Sequence, residues 1–273
     1  MNIARVFPRR TSMTPNDPDS YLSTPGLFTP KYDKVYISCA FTWDINLAYV
    51  LQREWETTGA SVKVGGPAFG DKGDNFVAGM FLKKGVTITS RGCPNNCSFC
   101  FVPKREGRIR ELPIVEGNII QDNNILACSK EHIRKVFSML KTQRHIDFNG
   151  GLEVSRVTDD IVEDLRGLKI YQLWLAYDRP NSEKPLIQAV NKLSKYFKRD
   201  KIRCYVLIGY EGDTLEKAEN RLKRAWEIGT LPFAMRYRTP ETQWDKTYLF
   251  KEREWNLLTR RWTRPAIIKV RNP

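Results

Sequence analysis

Residues 86–100 read VTITSRGCPNNCSFC, an alternating, β-branched run that ends in three cysteines within eight positions. VTITS has the composition of a short strand, and Gly92 and Pro94 break it into a loop. Cys93, Cys97 and Cys100 therefore converge on one loop at a strand end, in the spacing C-x3-C-x2-C. Clustered thiols without partner pairs point to metal rather than disulfides. A zinc knuckle would need a fourth Cys or His close by, and the chain's only histidines are His132 and His145. A cubane [4Fe-4S] cluster usually takes four cysteines, so three would leave one iron open to an exchangeable ligand. An open iron is a reaction site.

Outward from this loop, short apolar runs alternate with helical stretches. NIIQ, HIDFN, YQLWLAY, RCYVLIGY and LPFAMRY follow VTITS as strands, with helices such as EHIRKVFSML and TLEKAENRLKRAWEI between them. Six strands joined by helices predict an α/β chain with a parallel sheet. Periodicity leaves open whether that sheet is flat and doubly wound or curled into a barrel. Toward the N-terminus, KVYISC and SVKV with Gly65 and Gly66 flank the helical run INLAYVLQREW, for which Asp44 is the N-cap candidate, making a small β-α-β unit. The first thirty residues, rich in Pro, Ser and Thr, read as an irregular arm.

The spacing of the three cysteines, Phe99 just before the last of them and the preceding strand resemble the radical S-adenosylmethionine superfamily. The resemblance extends over roughly residues 85–239 and implies a partial (β/α)6 barrel. It implies an open iron that chelates the amino and carboxylate groups of S-adenosylmethionine (SAM), and a 5′-deoxyadenosyl radical that abstracts hydrogen from substrate. By the same resemblance, QDNN, FNGGLEVSR and LAYD place Asp122, Asn124, Glu153, Arg156 and Asp178 where the methionine and ribose ends of the cofactor are held. Ile208 and Gly209 in YVLIGYEGDTLEKA would face adenine. The Gly150-Gly151 pair departs from the family pattern by lying on the third strand instead of the second, so the amino-group contact is not transferred to it. The N-terminal unit looks like a shortened relative of the domain that precedes the barrel in cobalamin-dependent members. Its Asp-x-His-x-x-Gly signature is absent, which disfavours cobalamin.

The domains expected are residues 1–80 for the arm and small unit, 81–240 for the barrel, and 241–273 for a C-terminal extension. Asp213 and Glu216 have the spacing of a capping box. Cys39, Cys128 and Cys204 are far apart in sequence and argue against an auxiliary cluster. The chain has 273 residues, enough for one principal core, and lacks both an apolar run of roughly 20 residues and a signal-peptide core, so a cytoplasmic protein without a membrane span is expected.

A net charge of +14 creates a positive field that fits either a polyanionic partner, RNA or DNA, or a basic surface that serves solubility alone, and charge by itself does not choose between them. The loop FVPKREGRIRELP carries four basic and two acidic residues, and the segment after Thr239 carries eight Lys or Arg against four acids. Trp244, Trp255 and Trp262 are interleaved with the latter charges, either as a stacking surface or packed against the body. Lys104, Arg105, Arg260 and Arg261 are the cations expected to touch phosphate. The expected function is radical modification of a large, nucleic-acid substrate with a low-potential electron donor. The alternatives are modification of a peptide or small metabolite, and a non-catalytic, metal-dependent nucleic-acid-binding module.

Overall fold

The structure, a computed structural model, describes residues 2–237 and 252–271. Strands β1 (Ile3–Val6), β2 (Ser20–Tyr21), β3 (Lys34–Ser38) and β4 (Ser61–Gly65) form a parallel sheet in the order β2-β1-β3-β4. Helix α1 (Ile45–Glu56) connects β3 to β4 as the sequence predicts, and it buries Ala48, Leu51 and Trp55 against Ala4, Val6, Val35 and Ile37. The first thirty residues are not wholly irregular. Four residues, IARV, are too few to show a period, yet pairing with β3 makes β1 an interior strand.

Asp44 stands at the N-cap of α1, but its carboxylate does not cap. It accepts two hydrogen bonds from Arg9, both at 2.8 Å. Strand order reverses between β1 and β3, the place where open sheets of this kind hold ligands. Here the Arg9–Asp44 pair spans the loops that follow those two strands.

The second sheet contains β5 (Val86–Thr87), β8 (Ile119–Ile120), β9 (Ile146–Phe148), β10 (Ile170–Ala176), β11 (Ile202–Ile208) and β12 (Leu231–Arg236). These six strands are parallel and lie side by side in chain order. All six runs read from the sequence are thus strands of one sheet. Between β5 and β8, β6 (Ser90–Arg91) pairs antiparallel with β7 (Arg110–Glu111), closing the loop that carries the cysteines and the short helix α2 (Val102–Arg105). Helices α3 (Lys130–Lys141), α4 (Asp159–Arg166), α5 (Glu183–Leu193) and α6 (Leu215–Glu227) make the remaining crossovers. With strands in chain order, crossovers of uniform right hand lay these helices on one face of the sheet.

The period-2 alternation of the strands separates two surfaces. Ile146, Phe148, Leu173, Leu175, Val206 and Ile208 join the large core with the helices. Asp147, Trp174, Arg203, Tyr205 and Phe233 make a polar, aromatic cluster, in which Trp174 stacks on Tyr205 at 4.3 Å and the Arg203 guanidinium lies 4.7 Å from the Trp174 ring.

Hydroxyl caps start three helices, Ser129 for α3, Thr158 for α4 and Thr214 for α6. The N-cap expected at Asp213 is therefore displaced by one residue, to Thr214, and with Lys217 three positions on the capping box with Glu216 does not form. Asp213 instead accepts from Gly209 N at 2.8 Å and pairs with Arg221 at 2.7 Å.

Helices α7 (Arg253–Thr263) and α8 (Pro265–Arg271) dock through Leu258, Trp262 and Ile268, which belong to the same core as the sheet. Trp262 is thus packed, and Trp255 lies under Arg236 at 4.2 Å; Trp244 is outside the described residues. No helix among the described residues is long and apolar enough to cross a membrane.

Candidate functional site

The carboxyl ends of parallel strands collect the loops of a sheet on one edge. After β5, Thr89 and Ser90 lead into Gly92 and the cysteines; after β8 come Asp122, Asn123 and Asn124; after β9, Gly150 to Arg156; after β10, Asp178 and Arg179; after β11, Gly209 and Tyr210. The residues singled out in the sequence thus share one edge.

Asp122 is buried and accepts from Thr89 N at 2.7 Å, Thr89 Oγ1 at 2.6 Å and Ser90 Oγ at 2.7 Å. Burial pushes its carboxyl up, against the opposing pull of these donors. Its place is behind the loop, as the anchor that ties the first strand end to the second. Asn123, which the sequence reading passed over, adds a parallel tie by accepting from Gly92 N at 3.0 Å. Gly92 has φ +84°, and a Cβ there would sit 2.1 Å from Arg108 O, so the loop's two limbs approach as closely as backbone permits. The cue for both residues was the unbroken polar run QDNN at a strand end.

The cysteine loop is further fixed by Cys93 N donating to Gly107 O at 3.1 Å and Cys100 N to Cys97 O at 3.0 Å. All three thiols are free and partly exposed. Burial pushes Cys97 and Cys100 up; Arg179 opposes this at Cys97, and the Val102 N–H opposes it at Cys100. Cys93 adds to the rise at Cys97, and Cys97 and Cys93 both add to it at Cys100. Toward Cys93 Sγ, Asn95 N donates at 3.4 Å and Asn124 Nδ2 at 3.5 Å. Among the described residues, no group of three or more His, Cys, Asp or Glu side chains is arranged to hold a single metal ion.

Asn124 and Glu153 meet beside Cys93. Asn124 Nδ2 donates to Glu153 Oε2 at 2.7 Å, and Glu153 also accepts from Arg156 Nε at 2.8 Å and Ser155 Oγ at 2.8 Å. Burial would raise the Glu153 carboxyl, but donors from Asn124, Ser155, Arg156 and Asn95 outweigh it and hold the group below its ordinary range. Glu153 is accordingly an anion at neutral pH. Asn124 Oδ1 is buried with no hydrogen-bond partner.

Asp178 accepts from Leu207 N at 3.0 Å, continuing with a side chain the ladder that β10 leaves at Ala176. Burial pushes its carboxyl up to about 6. Phe99 packs edge-on to Tyr210 at 5.7 Å, and Tyr210 to Tyr237 at 4.9 Å. Arg179, another residue the sequence reading missed, lies 5.2 Å over the Phe99 ring. The Ile208 side chain is in the core and its carbonyl accepts from Tyr237 N at 2.9 Å, while Gly209 N is taken by Asp213.

In the loop after the cysteines, Glu106 is buried and held by Arg105 at 2.5 Å, with Arg91 at 3.9 Å, and Arg110 pairs with Asp74 at 2.5 Å. Phe101, Lys104 and Arg108 are exposed. Of the three solitary cysteines, Cys39 and Cys204 are buried, and burial raises Cys128 to about 11.

No protein-family model matches the chain, and comparison with the curated proteins finds no match either.

Proposed function

We propose that this chain is a radical SAM enzyme carrying one [4Fe-4S] cluster on Cys93, Cys97 and Cys100. One observation carries the reading. The C-x3-C-x2-C loop leaves the first of six parallel strands that lie in chain order, so Asn124, Glu153, Arg156 and Asp178 from the later strands share its edge. A curled, partial (β/α)6 barrel is the form of the sheet that this reading takes. Chain order suits it, because open doubly wound sheets carry a reversal of order.

The residues present suit the cluster. Three free thiols lie on one loop, with N–H donors aimed at two of the sulfurs. A cubane takes one thiolate per iron, so its sulfurs need not converge on a common point as the ligands of a zinc ion must. Bound there with SAM, the cluster supplies the electron, drawn from a low-potential donor, that cleaves the sulfonium into methionine and a 5′-deoxyadenosyl radical.

The protein's own contribution is placement. Asp122 and Asn123 hold the loop, the Asn124 Oδ1 atom offers an acceptor for an amino group, and the anionic Glu153 is fixed by Arg156 for a hydroxyl or ammonium. Phe99, supported by Tyr210, offers a ring face at the cluster loop. The +14 charge supports a nucleic acid as the large substrate.

Anaerobic reconstitution tests the reading. About four iron and four sulfide per chain are expected, lost on Cys→Ala replacement at 93, 97 and 100. Reduced protein with SAM should release methionine and 5′-deoxyadenosine. Stoichiometric zinc without an iron-sulfur spectrum overturns the assignment. A cluster that binds without cleaving SAM leaves the non-catalytic nucleic-acid module as the better reading.

A further inference from the structure

We propose that Asn124 is a positioning residue that sets the reduction potential of the cysteine-bound cluster by presenting a fixed N–H to Cys93. The inference rests on the cluster assignment above and goes beyond it to a specific control on the electron.

The argument begins with the two hydrogens of one amide. Asn124 is 4 % exposed, and its Nδ2 has two neighbours, Glu153 Oε2 at 2.7 Å and Cys93 Sγ at 3.5 Å. The first contact fixes the rotamer. Glu153 is kept anionic by its other donors, so it holds the nitrogen, not Oδ1, on its side. The remaining N–H is then directed, in a buried position, at Cys93. The partnerless Oδ1 shows the same constraint from the other end, because flipping the amide would relieve that atom only by setting a carbonyl against a carboxylate.

Cys93 therefore receives two donors, the Asn95 backbone and the Asn124 side chain, while Cys100 receives one from Val102 N. Hydrogen bonds to cluster sulfurs withdraw electron density and favour the reduced state, raising the potential. The backbone donors are fixed by the loop, and Asn124 is a side-chain donor brought from a different strand end.

The experiment is an electron paramagnetic resonance redox titration of the reconstituted full chain, without SAM. Asn124→Leu, close in size and lacking the donor, should titrate at a more negative potential than the unchanged chain. Asn124→Val, smaller and likewise without a donor, should shift in the same direction, and it decides the matter if the leucine variant does not load. Asn123→Ala is the structural control: it removes the acceptor of Gly92 N but no donor to sulfur, so it should lower iron loading without moving the potential. Unchanged potentials in both Asn124 variants overturn the inference while leaving the cluster assignment intact, as does an equal shift in Asn123→Ala. Absence of an iron-sulfur signal in the unchanged chain overturns the parent reading instead.

Discussion

Gly150 sits in the loop after β9, where its N–H donates to Ile120 O at 2.9 Å and where a Cβ would lie 1.9 Å from Asp122 O. Its backbone angle is ordinary, so the requirement is space alone, and the neighbour is backbone that has no rotamer to change. Gly150→Ala should therefore cost at least about 2 kcal/mol in urea unfolding. It should also lower cluster loading, because the displaced residue is the one that holds Thr89 and Ser90. An alanine variant of native stability and full iron content would show that the two loops are looser than drawn. The glycine pair was visible in FNGGLEVSR, but its reason was not, since a close approach between two loops leaves no local trace. The same holds for Asp122: the sequence put a carboxylate at a strand end, and only the fold shows it turned back onto Thr89 and Ser90.

Elements at this edge are joined by side chains as well as by ladders. Asp178 takes the Leu207 N–H just beyond β10, and burial raises its carboxyl from the ordinary 3.8 to about 6. Between those two values the folded chain keeps a proton that the unfolded chain has lost. This contribution to stability is full below about pH 4 and is lost as pH rises through 6. Asp147, raised to about 6 by burial while accepting from Trp174 Nε1 at 3.0 Å, acts in the same direction. Asp178→Asn keeps an oxygen for Leu207 and removes the titrating carboxyl, so it should flatten the fall in unfolding free energy between about pH 4 and 6, and adding Asp147→Asn should flatten it further. Equal slopes in all three proteins would place the titration elsewhere. Strand identity was legible because β-branched and aromatic runs stand between turn residues, as in YQLWLAY and RCYVLIGY. Cap identity was less so. Asp213 and Thr214 are both able caps, and Arg221, two turns into α6, decides between them by capturing the carboxylate.

At the scale of the whole molecule, ion pairs leave the net charge of +14 unchanged but decide which cations carry the excess. The four cations first expected to touch phosphate are unequal: Arg105 is held by Glu106 and Arg261 by Glu219, whereas Lys104 and Arg260 are exposed. Trp255 and Trp262 follow the packed alternative, because α7 is amphipathic and its aromatic face completes the core that the sheet begins. Composition could not distinguish these cases, since an interleaved Trp and Arg pattern is common to a stacking surface and to a docked helix. Among the groups open to solvent beside the cysteine loop are Phe101, Lys104 and Arg108, one ring and two cations. If a nucleic acid is the substrate, this is where its backbone should pass. Each phosphate contact releases counterions, so binding should weaken linearly on a logarithmic salt scale, and removing two contacts should reduce the slope by about 1.4 for a single strand. Lys104→Ala with Arg108→Ala tests the slope. Phe101→Ala should weaken single-strand binding by about 1 to 3 kcal/mol while leaving the slope alone, because stacking exchanges no ions. Trp262→Ala, in contrast, should act through stability, since its ring is in the core. A double cation variant that keeps both affinity and slope would remove this loop as the contact, and with it the main reason to prefer a nucleic acid over a peptide or small metabolite.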